Sequence, residues 1–427
     1  MKTKLTNKFN RFIKTILFTG ICVSFPSLSV SAENTYVPNY IGPFLYAGTA
    51  SGSSTSAFGL QGIKGGDIEG QFLVTGTSGT NGVVYSGPIN NAFTSDGSGS
   101  GTWYPINVPS AYGSSSTSIY GVDNLSTDDD NVDLVGSYVS TTLSNGQYPR
   151  IGFYYSGSLS TASANSPTGF QQYRAANPKN SHSASFTYIH SISNGLAVGN
   201  YDFLGTGNPF GHAFIYNPDP TGSEQTQTEV LYPDDPTGGA LTHTAYGIWF
   251  NSGTSYTIAG GVGSVFNTPL GIPGDNIAYG DPIGKAYLID YDSSKTGSAA
   301  FSNYQTYSFK PTGTEVKKWK NITVVTHFEG IWSNGSGTYK LPATVAAMDS
   351  VSSGAQVVTV KRNSNGSFSK NAKWEPLNVA GTSLSTNDSL YGGTSVGLAL
   401  YPAVINSNNE IVSAEFISDY AVTPILK

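Results

Sequence analysis

The chain has 427 residues and a formal net charge of −6, with only 11% charged residues but 51 Gly, 27 Tyr and 21 Phe. An acidic chain lacks the Lys/Arg surplus that neutralises phosphates, so nucleic acid is excluded as a partner. Its single cysteine, Cys22, falls in an N-terminal leader, which leaves the remainder without disulfides or cysteine metal sites.

Residues 1–14 carry Lys2, Lys4, Lys8, Arg11 and Lys14 and no acid, residues 15–30 are mostly apolar and broken by Pro26, and Val30-Ser31-Ala32 has the small-x-small form of a cleavage site. That pattern predicts a secretory signal peptide over residues 1–32, cut before Glu33, with an uncleaved anchor as the rival reading. The apolar run falls short of the roughly 20 residues of a membrane span, and no later stretch is long and apolar enough. Cleavage leaves 16 basic against 27 acidic residues, a secreted or periplasmic chain of net −11. Residues 33–427 are expected to form one domain.

Gly/Ser/Thr-rich turns separate short runs rich in aromatic and β-branched residues, the composition of half-buried strands. No stretch beyond about ten residues keeps a 3.6-residue apolar period. Residues 40–47 (YIGPFLYA) form an isolated strand that matches residues 150–156 (RIGFYYS), the third strand of a later unit. Unit one has FGLQGI, GQFLVTG, GVVYSG and WYPINV between residues 58 and 108. Unit two has Tyr120-Gly121-Val122, then VDLVGSY, RIGFYYSG and residues 170–173. Unit three runs from Ile189, with a turn at Asn194-Gly195 between strands and a third strand at residues 212–216. Unit four has YGIWF, YTIAGG, a long insertion and GKAYLID. Unit five has FEGIW, two further strands and WEPLNV, which shares Trp, Pro, Asn and Val with WYPINV. The tail holds two strands, residues 395–401 and 410–417, so residues 40–47 are expected to supply a third and close a ring. Anchors at Gly62, Gly121, His190, Gly247, Gly330 and Gly397 recur every 57 to 83 residues, the dimensions of a four-stranded propeller blade. The expected fold is an all-β propeller of six four-stranded blades, with a β-sandwich pair or a β-solenoid as alternatives.

In unit three, NGLAVGNY followed by GHAFIY resembles the HAF repeat of bacterial extracellular proteins, carried by Gly195, Val198, Gly199, His212, Ala213 and Phe214. Units one, two and four keep only the fragments GVVYSG, GFYYSG and GKAYLI, and unit five departs most. The resemblance implies a secreted β-propeller and little about activity.

Chemistry is sparsely signalled. Gly393-Thr394-Ser395-Val396-Gly397 matches the G-x-S-x-G elbow of α/β-hydrolases, but the last histidine, His327, lies upstream of Ser395 and the flanks read as strand. His190, His243 and His327 sit near first strands, which line a propeller's channel, so they are candidate channel residues; His212 reads as structural. Candidate catalytic carboxylates near inner strands are Glu329, Asp67 and Asp123, because glycosidases work with a pair of acids. Asp128, Asp130 and Asp133 form an acidic loop cluster that could hold calcium, with a solvated turn as the alternative. Asp290–Ser294 (DYDSS) echoes a calcium loop without its full ligand set. No other cofactor is indicated. Trp249, Trp332 and Trp319 are candidate sugar-stacking residues, Trp319 within a basic segment that also reads as a solvated loop; Trp249 and Trp332 read equally as packing. These features point first to a recognition module for carbohydrate or another surface polymer. The alternatives are a glycan-active hydrolase or lyase using channel-facing carboxylates and histidines, and a structural envelope protein without a small ligand.

Overall fold

A computed structural model describes residues 37–41, 58–66, 69–89, 101–124, 130–144, 148–164, 166–176, 183–203, 211–218, 225–231, 242–263, 284–309, 324–347, 353–377, 384–401, 404–405, 411–413 and 416–425. The leader, Asp67, Asp128 and Trp319 lie outside the described residues.

The described chain is all-β, as composition predicts, with one short α-helix (Leu159–Ser163) and two 3-10 turns. Unit one is an antiparallel meander of Phe58–Gly65, Gln71–Ser78, Asn81–Pro88 and Thr102–Ile106. Unit two repeats it with Ser114–Asn124, Asn131–Ser140, Arg150–Ser158 and Phe170–Tyr173. Unit three follows with Phe186–Ser193, Leu196–Asp202, His212–Asn217 and Thr226–Glu229, and one parallel bridge from Phe186 to Arg150 joins it to unit two. Unit four has Thr242–Ser252, Ser255–Gly263, Gly284–Asp292 and Phe301–Tyr307. Unit five opens with a broken strand, Val324–Phe328 and Trp332–Ser333, before Thr338–Ala347, Ser353–Lys361 and Lys373–Pro376.

The last sheet differs from expectation in three details, the first being that Ile411–Ser413 pairs apart with Val404–Ile405 and the sheet strand is Phe416–Ile425 in place of residues 410–417. Its first strand is present but broken, as Leu384–Ser385 and Ser389–Tyr391, both paired with Thr394–Tyr401. The N-terminal segment that joins it is Val37–Ile41, which overlaps the expected strand at residues 40 and 41 (residues 42–47 lie outside the described residues), and it pairs with Phe416–Ile425 as the outermost strand. Both ends of the chain share one sheet, as the strand missing from the tail predicts.

Tight turns explain the short spacing. Asn194 and Gly195 both have positive φ (47° and 79°), so Asn-Gly supplies the two left-handed residues of a two-residue hairpin whose twist matches its strands. Hydrophobic cores lie between successive sheets. Leu73 and Val84 pack with Ile119 and Phe153 across units one and two, and Val135 and Tyr154 with Ile189 and Phe214 across two and three. Val198 and Ile215 meet Ile248 and Tyr287 across three and four, and Leu288 meets Phe328 and Leu341 across four and five. Leu60 and Val74 pack with Val396, joining unit one to the last sheet. Units one to four thus each have an apolar face for each neighbour.

The first strands also touch in succession. A Cβ on Gly62 would strike the Tyr120 carbonyl, one on Gly121 would meet the His190 carbonyl at 2.9 Å, and one on Gly247 would meet Gly330 at 2.7 Å. Ser191 Oγ accepts from Ile248 N at 3.4 Å, and Ser389 Oγ accepts from Ile63 N at 3.3 Å. The last contact returns to the first unit.

Candidate functional site

The six first strands converge on one cavity, and they reach it in a common register. Each has a polar or aromatic residue, then Gly or Ser, then an aliphatic residue, and all of these but Gly247 and Asp388 line the cavity: Gln61-Gly62-Ile63, Tyr120-Gly121-Val122, His190-Ser191-Ile192, Tyr246-Gly247-Ile248, Glu329-Gly330-Ile331 and Asp388-Ser389-Leu390. The small residue is needed because neighbouring backbones touch there, as the Gly62 and Gly247 contacts show.

The residue before it is set apart by a bulge. In units one to four the pairing register skips at Gln61, Tyr120, His190 and Tyr246, and units two and four skip a second time, at Ser115 and Asn251. A bulge leaves its extra residue out of the ladder and re-aims the side chain. The second strand accommodates it with glycine: a Cβ on Gly76, Gly136, Gly199 or Gly260 would collide with the carbonyl of Gly59, Ser118, Tyr188 or Thr244. The glycine that ends Val74-Thr75-Gly76, Val135-Gly136, Val198-Gly199 and Ile258-Ala259-Gly260 in units one to four therefore permits the bulge. Units five and six break the strand instead: Glu329 N donates to Pro342 O and Asp388 N to Val396 O, each at 2.9 to 3.0 Å.

Around the cavity the rings of successive units adjoin. His190 lies 5.1 Å from Tyr120, 6.0 Å from Tyr188 and 4.4 Å from Tyr246, and Tyr246 lies 5.6 Å from His327. His190 Nε2 is 2.8 Å from Asn200 Oδ1. Burial pushes the His190 imidazole down to about 4, against the pull of Asn200 and the Glu329 charge. This histidine is neutral at pH 7.

The acids of units five and six behave differently. His327 Nε2 lies 2.5 Å from Glu329 Oε1. Burial pulls His327 down, but the Glu329 charge and hydrogen bond, with the Asp388 charge, outweigh it and lift the imidazole above its usual range. Asp388 is raised to about 8, first by burial and then by the neighbouring Glu329 charge, with Thr386 and His327 opposing. The arrangement is a carboxyl that keeps its proton at pH 7 beside a carboxylate paired with histidine.

Three residues along the same strands, about 10 Å at strand rise, stands a second layer: Lys64, Asp123, Ser193, Trp249, Trp332 and Tyr391. Trp249 and Trp332 meet edge to face at 6.4 Å, and Trp332 and Tyr391 at 6.2 Å. Lys64 Nζ reaches over the Trp249 ring, 5.3 Å from its centroid, and pairs with Asp123 Oδ1 at 2.9 Å.

Among the sequence candidates, Glu329, His190 and Trp249 line the cavity, His327 adjoins it through Glu329, and Trp332 stands on its rim. Asp123 is held by Lys64 and by the backbone N–H of Asn194 from unit three, so it ties three units together. His243 is buried against Tyr287 inside unit four, away from the cavity lining. The reason is register: His243 precedes the bulge by three residues. His212 stacks on Tyr201 at 4.9 Å. Asp133 is buried, accepts from Tyr154 Oη at 2.8 Å and is raised to about 6 by burial, while Asp130 is half-buried and its carbonyl accepts from Leu159 N. No group of three or more metal-ligating side chains occurs among the described residues. In DYDSS, Asp290 is taken by Arg362 and Asp292 by Thr254, Ser294 and Lys295. Ser395 is buried within a strand, which rules out the nucleophile elbow.

Asp388 escaped the sequence reading because its strand is two and three residues long on either side of a break. The signal was there in the tripeptide Asp388-Ser389-Leu390, the sixth copy of the polar-small-aliphatic pattern. Gly397 belongs to the second strand, so the sixth anchor is Ser389.

No family's sequence model matches the chain, and no curated protein matches it. Among solved structures, the chain is similar to an α-L-arabinofuranosidase from Podospora anserina (11% identity, TM-score 0.30, 73% of this chain and 91% of that one). It is similar also to a family-32 β-fructofuranosidase from Bombyx mori (10%, TM-score 0.35, 86% and 90%) and to a thermostable family-43 glycoside hydrolase (10%, TM-score 0.35, 78% and 96%).

Proposed function

We propose that the protein is an exported six-bladed β-propeller, built from degenerate HAF-type repeats, that hydrolyses glycans with an acid pair at its axis. The closed succession of contacts among six first strands supports the blade count. Asp388 serves as general acid, Glu329 as the base or nucleophile opposite it, and His327 holds Glu329 in place. The observation that carries this reading is the raised Asp388 carboxyl within the field of Glu329, which is itself paired with His327: a carboxyl lifted by burial and a second carboxyl near it are the equipment of glycoside cleavage. The cavity itself, about 40 Å³, has room for a few waters and not for a sugar ring. Water reaches the acids from within, and the sugar docks across the mouth.

The test is reducing-sugar release from a panel of plant and microbial polysaccharides by residues 33–427. Glu329→Gln and Asp388→Asn should each lower turnover by at least about a hundredfold with an unchanged circular dichroism spectrum. Undiminished turnover in Glu329→Gln, or no cleavage of any polymer by the parent chain, defeats the reading. The second reading, recognition without turnover, is favoured by the same small cavity, and it predicts glycan binding that survives Glu329→Gln.

A further inference from the structure

The second layer has a chemistry of its own that the acid pair does not use. Trp249, Trp332 and Tyr391 come from three successive units and form a half-buried aromatic arc at the other end of the cavity. Their edge-to-face packing holds each ring by its neighbour, so the arc is rigid before anything binds. Rigid aromatic surface is inexpensive to order on binding, because the rotamers are already chosen. Gly65 of unit one abuts the Tyr391 ring, where a Cβ would collide with it, so the rim continues into the next unit.

Two ammonium groups stand over this arc. Lys64 Nζ is 5.3 Å from the Trp249 centroid and Lys340 Nζ is 5.8 Å from that of Trp332. Lys64 shares its charge with Asp123. Among the described residues no carboxylate forms an ion pair with Lys340. The rim therefore carries net positive charge on a chain whose overall balance is acidic. Residues 309–380, which include Trp332 and Lys340, hold nine basic residues against four acids. An indole face takes the apolar C–H face of a pyranose. A cation above that face adds a partner for an acidic substituent on the same sugar, and nothing for a neutral one.

We propose that the Trp249–Trp332–Tyr391 rim, with Lys64 and Lys340, is a binding site for an acidic saccharide bearing carboxylates, such as a uronate polymer. This rests on the reading that the protein engages glycans, and it names their class. The rim shares one cavity with Glu329 but is made of different side chains, three residues further along each segment, so binding and turnover can be lost independently.

The experiment is affinity electrophoresis of residues 33–427 in gels containing polygalacturonate, carboxyl-reduced polygalacturonate or polyglutamate. The reduced polymer keeps the sugar and removes the charge, and polyglutamate keeps the charge and removes the sugar. Retention by polygalacturonate at least about tenfold tighter than by either control is the expected result. Lys340→Met should weaken it about threefold to tenfold at low salt, and Trp332→Phe more than Lys340→Met. Lys340 is on the sheet surface and its replacement leaves the fold intact, so it stands even if Trp332→Phe is unstable. Equal retention by the reduced polymer overturns the choice of acidic sugars while leaving a glycan reading in place. Equal retention by polyglutamate, or no retention by any polymer, overturns the site itself. Loss of turnover in Glu329→Gln with polygalacturonate retention unchanged separates this site from the proposed hydrolase. Retention unchanged in both rim variants overturns the assignment of these residues.

Discussion

Two sheet-to-sheet contacts of unit five place a carboxylate in half-buried surroundings and treat it in opposite ways. Toward unit four, Asp290 receives Arg362 through both oxygens, Nη2 at 2.6 Å and Nη1 at 2.8 Å, and Arg362 also reaches Tyr339, Thr257 and the Gly366 carbonyl. A planar guanidinium matched to a carboxylate repays the loss of solvation with two charge-assisted bonds. Toward unit six, Glu329 pairs with His327 and its charge reaches Asp388. Burial first, and then the Glu329 charge, lift Asp388 to about 8, with Thr386 and His327 opposing. The comparison separates a carboxylate used to fasten two sheets from one kept reactive.

The largest expected loss comes from breaking the fastened pair. Arg362→Met leaves Asp290 buried without its partner and should lower stability by about 3 kcal/mol, seen as a fall in the urea midpoint with unchanged slope. A loss below about 1 kcal/mol would mean that the pair merely occupies space.

The reactive pair should respond to pH in the other direction. The unfolded chain releases the Asp388 proton near the ordinary carboxylate range, whereas the folded chain keeps it to about 8. Stability from this group is complete below about pH 4 and is lost as pH rises from there toward 8. Asp388→Asn removes the slope, so the variant should gain on the parent, by up to about 4 kcal/mol, between pH 5 and pH 8. Parallel urea midpoints for parent and variant across that window would show that Asp388 titrates normally.

His327→Gln sharpens the contrast further. Removing the one cation near both acids should move the Asp388 carboxyl to still higher pH, read from its carbon-13 shift; a downward move would mean that His327 does not offset the acids. The smallest effect is spectroscopic. Two histidines of adjoining rings should titrate apart, His327 above the usual histidine range and His190 near 4. Stability that depends on neutral His190 is full above about pH 6.5 and lost as pH falls toward 4. Imidazole nitrogen shifts that coincide for the two residues would break the assignment.

Much of the architecture was legible because strands and turns are local. Alternating apolar residues and the Asn-Gly turn mark units one to four within a few residues of their observed bounds. Glu329 and His327 are each legible as candidates near a first strand, and the break after Phe328 decides their pairing. A broken strand hides Asp388, and Asp123 reads as a candidate catalytic acid because Lys64 and Asn194, which hold it, come from other units. His243 shows the limit of counting: one bulge decides which residues of a first strand turn toward the cavity, and its position depends on a glycine in the next strand.

The amino-acid sequence alone determined the strand content, the repeat and the meeting of both chain ends in one sheet, because these follow from propensity, turn chemistry and similarity between nearby segments. Only the tertiary structure decided which carboxylates are matched by cations and which must share a proton. Charge compensation depends on groups 72 and 59 residues apart brought within 3 Å, as Arg362 is to Asp290 and Lys64 to Asp123, and no local pattern in the chain records that distance.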